Sequence, residues 1–155
     1  AFTEDLRLES MLGAAATAAA IARGANKTVA PQHFNLGQSP SFYSINVPWD
    51  QVGIADKLPL LQNVEAITRQ RDPSIKKVTV MWADSDERVL VADSSGKVMR
   101  DRRPMSRIWV SVTAERNGNL QSHSSNLAGR RDLAWYNSDR LEQVSREAVD
   151  RTLLL

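Results

Sequence analysis

The stretch MSRIWVSVTAERNGNLQSHSSNLAGRR, residues 105–131, alternates like a β-strand up to Asn117. One face of this predicted strand carries the apolar side chains Ile108, Val110, Val112 and Ala114. The other face carries Arg107, Trp109, Ser111 and Thr113. Asn117-Gly118 tolerates the positive φ angles that a tight type I′ turn requires. The sequence therefore predicts a hairpin with one apolar strand and one return strand that is almost wholly polar.

Changes in hydrophobic period predict the elements on either side of this hairpin. Thr3 followed by an Ala-rich run indicates a helix over 4–23 that ends at Gly24. An apolar stripe predicts a second helix over 56–71, with Pro59 in its first turn. Asn137 and Ser138 cap a third helix over 138–154. Residues 25–50 lack any period and contain three prolines, which indicates a long irregular connection.

The region 75–128 changes to a period of two, which is typical of strands. Turns at Ser85-Asp86 and at SSGK, residues 94–97, divide it into about five antiparallel strands. The predicted fold class is α+β: one domain or domain fragment, residues 1–155, in which this sheet packs on one face against the three helices. The predicted core residues are Leu61, Ile67, Val78, Val80, Val110, Val112, Val144 and Ala148.

Composition narrows the class of protein. The chain has 155 residues, a formal net charge of +2 and no cysteine. The absence of thiols excludes disulfides and fits a reducing compartment, so we expect a cytoplasmic protein. The longest apolar run, residues 11–22, is shorter than the roughly 20 residues that a membrane span needs. We expect no membrane partner.

No catalytic, metal-ligating or cofactor-binding motif is apparent in the sequence. His33 and His123 are far apart and belong to no helical His-x-x-x-His pattern. The chain has no phosphate-binding glycine loop and no Gly-x-Ser-x-Gly elbow. The basic residues Arg100, Arg102, Arg103 and Arg107 do not share one strand face, which favours a solvated sheet edge over a nucleic-acid site.

The polar return strand is the candidate contact surface. Its candidate peptide or partner contacts are Ser122, Ser124, Asn126, Arg130 and Arg131. Hydroxyls and open backbone groups suit an extended peptide or a neighbouring domain. The alternative is a wet edge strand whose polarity only prevents edge-to-edge pairing.

The order of elements resembles a known family. An Ala-rich helix precedes QSPSFYSINVPWD (38–50) and a helix with DKLPLLQNVEAI (56–67). A meander, VADSSGKVMRDRRPMSRIWVSVTAERNGNLQSHSSNLAGRRDLAWY (91–136), and a capped helix, REAVDRTLLL (146–155), follow. With Ser39-Pro40…Tyr43 and Arg103-Pro104…Arg107, the chain resembles the later part of the N-terminal domain of TldD/PmbA proteins, peptidases also described as modulators of DNA gyrase. The long strand at 100–114, basic and then hydrophobic, is closer to TldD than to PmbA.

This resemblance implies a non-catalytic portion of a TldD-like zinc metallopeptidase that matures or degrades peptides. The family's zinc site, a His-Glu-x-x-x-His helix, lies in a following domain, and the first strands of the N-terminal domain lie outside this chain as well. No catalytic residue is therefore carried onto it, and zinc is expected only in the parent protein. The implied role is a wall of the substrate cleft and a subunit contact. The implied partners are the catalytic domain of the same protein, the peptide substrate and a PmbA-like subunit.

Two other functions remain open at this point. The first is a stand-alone protein-interaction module that binds a topoisomerase such as gyrase, or a toxin, without proteolysis. The second and weaker one is a nucleic-acid binder that uses the arginines at 100–107. In addition, we expect self-association, because cut edges expose apolar surface. The alternative is a monomer in which the segment 25–50 folds back over its own sheet. The candidate surfaces are Ala14–Ala20, the aromatic residues Phe34, Phe42, Tyr43 and Trp49, and the C-terminal Leu153–Leu155.

Overall fold

The computed structural model describes residues 1–24, 35–36, 42–93 and 95–154. The chain divides into two compact units, one comprising Ala1–Asn35 and Ala92–Lys97 and the other comprising Leu36–Val91 and Val98–Leu155. Predictions about His33, Phe34, Leu155 and most of the irregular connection at 25–50 lie outside the described residues.

The smaller unit contains helix α1, Leu8–Arg23, which begins four positions later than the sequence predicts. The Thr3 hydroxyl accepts the N–H of Asp5 at 3.1 Å, and the Asp5 carboxylate accepts the N–H of Arg7 at 3.0 Å. These two side chains therefore form a turn ahead of the helix instead of capping it. The Arg7 guanidinium, with help from Ser10, lowers the pKa of Asp5 to about 2. No residue of α1 is buried, and Ile21 is 75% exposed.

The larger unit contains most of the sheet and two helices. Its helices are α2, Ile54–Arg69, and α3, Ser138–Leu153. The strands are β1 (Asn35–Leu36), β2 (Ile75–Ala92), β3 (Lys97–Arg116) and β4 (Asn119–Gly129). Asn35 of β1, Ala92 of β2 and Lys97 of β3 belong to the smaller unit. Two short 3-10 turns, Trp49–Gln51 and Leu133–Trp135, precede α2 and α3. In the sheet, β3 is the strand with which β1, β2 and β4 all pair.

Among the described residues, the sheet has three long strands instead of the predicted five or so. Ser85-Asp86 is not a turn, because β2 continues through it and Asp86 forms a two-bond ion pair with Arg102 of β3. The Arg102 hydrogen bond is also the main reason that the pKa of Asp86 is lowered. Pro104 is likewise inside β3 and fully buried. It precedes Ser106, the first β3 residue paired with β4, so its missing N–H interrupts no bond of that ladder.

The predicted hairpin between β3 and β4 is confirmed. Asn117 has a φ of 52° and Gly118 a φ of 79°, as a type I′ turn requires. The apolar face of β3 is the centre of the core, where Ile108, Val110 and Val112 are each 0% exposed. Among the other predicted core residues, those confirmed as buried are Val78, Val144 and Ala148. Those only partly buried against the core are Leu61, Ile67 and Val80.

Helix α3 packs on the β3–β4 hairpin, and α2 packs against α3. Helix α3 buries one stripe of side chains, formed by Leu141, Val144, Ala148 and Thr152. Asn137 caps the helix by accepting the N–H of Arg140 at 3.2 Å. Helix α2 begins two residues before the predicted start, because the Asp56 carboxylate accepts the N–H of Gly53 at 3.0 Å. Pro59 consequently lies in the second turn of α2 and not in the first.

Replacing Ile108 with alanine tests this assignment of the core. We expect Ile108→Ala to lower the free energy of unfolding by about 2–5 kcal/mol, because it leaves a cavity under α3. Ile54→Ala is the matched control, since Ile54 is 79% exposed, and it should change the free energy by no more than about 0.5 kcal/mol. Urea unfolding followed by circular dichroism measures both, and equal effects of the two substitutions would contradict the assignment.

Candidate functional site

The outward side of the β3–β4 hairpin carries a group of neutral polar side chains. Residues of β3 pair with residues of β4 as Thr113↔Ser122, Ser111↔Ser124 and Trp109↔Asn126. Paired residues share a face of the sheet, and these pairs lie on the side opposite Val110 and Val112. We call this group the hydroxyl face. Its members are Ser111, Thr113, Ser122, Ser124 and Asn126.

The hydroxyl face is accessible and held in register. The hydroxyls of Thr113 and Ser122 are hydrogen-bonded to each other at 2.7 Å. Ser122 and Asn126 are exposed, and the other three members are half-buried. Each of these side chains both donates and accepts hydrogen bonds and carries no charge. The surface can therefore bind peptide groups or a polar protein surface without selecting for charge.

The edge of β4 is covered at Ser124 by side chains. The Ser124 N–H donates to Nδ1 of His123 at 2.8 Å, and Arg151 Nη1 donates to the Ser124 carbonyl at 3.4 Å. In the described part of the chain β4 pairs only with β3. A strand that added to the other edge would have to displace His123 at this point.

The inward side of β4 is fixed to α3 by a carboxylate. Glu147 accepts the hydroxyl of Ser125 at 2.9 Å and the amide of Gln143 at 2.9 Å. These two hydrogen bonds, that of Gln143 being the larger cause, lower the pKa of Glu147. The hydroxyl face is thus the outer surface of a strand whose inner surface is bonded to a helix.

An aromatic cluster fixes the chain where it leaves β4. The Trp82 ring lies 5.5 Å from that of Trp49 and 4.6 Å from that of Tyr136, centroid to centroid. Tyr136 Oη donates to Ser106 Oγ at 2.8 Å, and burial raises the pKa of this phenol. Trp49, predicted to be an exposed association surface, is only 3% exposed, because it packs in this cluster. Asp84 joins the cluster to α2 by accepting Trp82 Nε1 at 2.7 Å and Lys57 Nζ at 2.6 Å.

The five predicted contact residues do not form one surface. Ser122, Ser124 and Asn126 belong to the hydroxyl face. Arg130 and Arg131 follow the end of β4 and line a separate cleft with Phe42, Tyr43 and Ser44. Sequence reasoning missed that Ser111 and Thr113 belong with the serines of β4. Counting back from the Asn117-Gly118 turn would have found them, because that turn fixes Thr113 opposite Ser122.

Two arginines of the basic cluster are neutralised within the sheet. Arg102 pairs with Asp86, and Arg103 Nε lies 2.7 Å from a carboxylate oxygen of Asp101. Asp101 is the main reason that the pKa of Arg103 is raised. These ion pairs reduce the positive charge that a phosphate backbone would contact, and they weaken the nucleic-acid hypothesis.

The described residues do not fit a zinc site. Among them, no group of three or more His, Cys, Asp or Glu side chains is arranged to hold a metal ion. Nδ1 of His123 is already occupied by the Ser124 N–H. None of the helices in the described ranges is long and apolar enough to cross a membrane.

Comparison with known proteins gives consistent matches. Residues 47–155 match the family model described as the PmbA/TldA metallopeptidase central domain. The chain is 27% identical to the "Metalloprotease TldD homolog" of Haemophilus influenzae, over 88% of this chain and 28% of that protein. It is 26% identical to the protein of the same name from Buchnera aphidicola subsp. Acyrthosiphon pisum, over 99% of this chain and 33% of the relative. The chain thus spans about a third or less of the curated relatives that it matches.

The contact of Glu147 with β4 predicts a pH dependence of stability. The pKa of Glu147 in the folded chain lies below its ordinary value of 4.5. Its stabilising effect is therefore complete above about pH 4.5 and is lost as the pH falls through the lowered pKa. When the pH is lowered from about 5 to about 3, we expect the Glu147→Gln variant to lose less unfolding free energy than the unsubstituted chain. Glu142→Gln, at an exposed position of the same helix, is the control, and equal pH profiles for the two variants would contradict the prediction.

Proposed function

Because the chain belongs to the PmbA/TldD metallopeptidase family, we propose that it is a non-catalytic part of a TldD-like enzyme that matures or degrades peptides. In this proposal the hydroxyl face forms one wall of the substrate cleft. The remaining surface contacts the catalytic domain of the same protein and a PmbA-like partner subunit. The family model that residues 47–155 match is described as a central domain, and this description supports such a position for the chain in the parent protein. The sequence alone suggested the later part of an N-terminal domain.

The hydroxyl face is the observation that supports the proposed role. A cleft that accepts peptides of different sequence has to bind what all peptides share, which is the main chain. Short neutral side chains such as Ser122 and Ser124 hydrogen-bond to N–H and C=O groups alike. They also stand on a strand that α3 holds from the other side, so little order has to be gained on binding.

The role is one of binding and not of bond cleavage. The described residues offer no zinc site, so the parent's zinc would be held by another part of the protein. Zinc there would polarise the scissile carbonyl and activate water. The contribution of this chain is then to hold the peptide main chain at the hydroxyl face while a neighbouring domain carries out hydrolysis.

Location and assembly follow as part of the same proposal. A chain with no cysteine suits the cytoplasm. Exposed apolar side chains support self-association of the isolated chain, since Phe42 is 72% exposed and Leu154 is 84% exposed. Both surfaces would be covered by other parts of the parent enzyme or by a second subunit. A stand-alone module that modulates gyrase or a toxin is the alternative, and it requires neither a peptide cleft nor a catalytic partner.

Binding of a peptide without charged ends tests the hydroxyl face. We expect an N-acetylated, C-amidated, unstructured peptide to shift the amide signals of residues 111–113 and 122–126 in the isotope-labelled chain. Ser122→Arg should weaken this binding about tenfold, or about 1.4 kcal/mol, because the long side chain covers the face. Nuclear magnetic resonance titration measures the dissociation constant.

The neighbouring residue of β4 provides the matched control. Gln121 is exposed like Ser122 but points to the opposite side of β4, so Gln121→Arg should leave the affinity unchanged. Equal weakening by both substitutions, or peptide-induced shifts that avoid the hydroxyl face, would contradict the proposal. The purified chain should also contain no stoichiometric zinc and cleave no peptide. One zinc per chain by elemental analysis would overturn the non-catalytic assignment.

A further inference from the structure

A cleft with two arginines lies beyond the end of β4. Arg130 and Arg131 line it together with Phe42, Tyr43 and Ser44, and its volume is about 390 Å³. This volume falls in the range of small-ligand sites and suits one amino-acid residue with room for its side chain. Two cations, two aromatic rings and a hydroxyl give the cleft a chemistry quite different from that of the hydroxyl face.

One nitrogen of the Arg130 guanidinium has no hydrogen-bond acceptor among the described residues. Its guanidinium carbon lies 4.5 Å from the centroid of the Tyr43 ring, a cation–π contact that holds the group in place. Its Nη1 atom is buried and has no hydrogen-bond partner within the part of the chain that the structure describes. A buried charged donor without an acceptor is unfavourable, and an anion that binds the same guanidinium from the cleft would offset part of that cost.

No acid of the described chain neutralises these arginines. The salt bridges among the described residues include none to Arg130 or Arg131, whereas Arg102 and Arg103 are both paired with aspartates. Asp132, the adjacent acid, instead accepts the N–H of Asn46 at 3.2 Å. The positive charge of the two guanidinium groups beside the cleft is therefore not offset by an ion pair with a described acid.

The corner that carries the arginines is fixed before any ligand binds. The Gly129 carbonyl accepts the hydroxyl of Ser106 at 3.3 Å. The Trp135 ring packs against Gly129, and a Cβ atom added to Gly129 would lie 3.5 Å from the ring. Arg140 Nη1 in turn donates to the Trp135 carbonyl at 3.0 Å. Such prior ordering reduces the entropy lost on binding.

We propose that this cleft binds a peptide carboxylate, with the α-carboxylate at the C-terminal end of a peptide as its source. The planar guanidinium fork matches the two oxygens of a carboxylate. The rings of Phe42 and Tyr43 provide an apolar wall for the side chain of the same terminal residue. The inference rests on the proposed function only in that the ligand is a peptide.

Three peptides of one length distinguish the source of the carboxylate. All are N-acetylated: the first ends in a free leucine carboxylate, the second in leucine amide and the third in glutamate amide. We expect the free acid to bind the complete chain at least about tenfold more tightly than the leucine amide, as a charge-assisted bidentate pair implies. Isothermal titration calorimetry measures the three affinities. If the glutamate amide matches the free acid, the terminal assignment is overturned.

Substitution of the arginines locates the effect. Arg130→Gln should abolish the preference for the free acid, and Arg130→Lys, which keeps the charge but not the fork, should restore only part of it. Arg146→Gln, which removes a charge from the exposed side of α3, should keep the full preference. If Arg130→Gln does not fold, Arg131→Gln at the exposed neighbour replaces it, with a reduced preference expected. A preference that survives substitution at both positions overturns the proposal.

The same variants separate this inference from the proposed function. The C-amidated peptide reports only on the hydroxyl face, so Ser122→Arg should weaken its binding and Arg130→Gln should not. If the unsubstituted chain does not bind the C-amidated peptide but still prefers the free acid, only the proposed role of the hydroxyl face is contradicted. Equal binding of free acid and amide in the unsubstituted chain would contradict the carboxylate site alone.

Discussion

The pairing register between β3 and β4 is the constraint on which the rest of the larger unit depends. Asn117 and Gly118 both have positive φ, and this turn sets Val112 opposite His123 and Thr113 opposite Ser122. A slip of one residue would move every side chain of β4 to the other side of the sheet. The contact of Ser125 with Glu147 would be lost at the same time, and with it one hydrogen bond that attaches α3 to the strand.

Patterns among residues close in sequence predicted most of the helices and strands. Contacts between residues distant in sequence decide where the strands end. The Asn117-Gly118 turn, the Asn137 cap and the buried stripe of α3 each depend on residues close in sequence, so the sequence alone was sufficient. The count of strands was not predictable in this way. Ser85-Asp86 reads as a turn until Arg102 is known to lie across from it and to pair with Asp86. Trp49 reads as an exposed aromatic residue until Trp82 is known to pack against it.

The two parts of the candidate site were predictable to different degrees. The serines of β4 could be assigned to one face by alternation, since Ser122 and Ser124 are two residues apart. The cleft at Arg130 could not, because its other wall comes from a segment far earlier in the chain. The bond from the Asn46 N–H to Asp132 and the contact of Tyr43 with Arg130 bring the two segments together. Neither segment has a hydrophobic period from which their contact could be predicted.

The alternation along β4 also separates two kinds of selection on its sequence. Positions such as Ser125 and Leu127 face α3 or the core, so mutations there are tested first by whether the chain still folds. Positions such as Ser122 and Asn126 face outward, so mutations there change the exposed surface and leave the core unchanged. The chemistry of this surface can therefore diverge among descendants of one ancestral domain while the architecture is inherited unchanged.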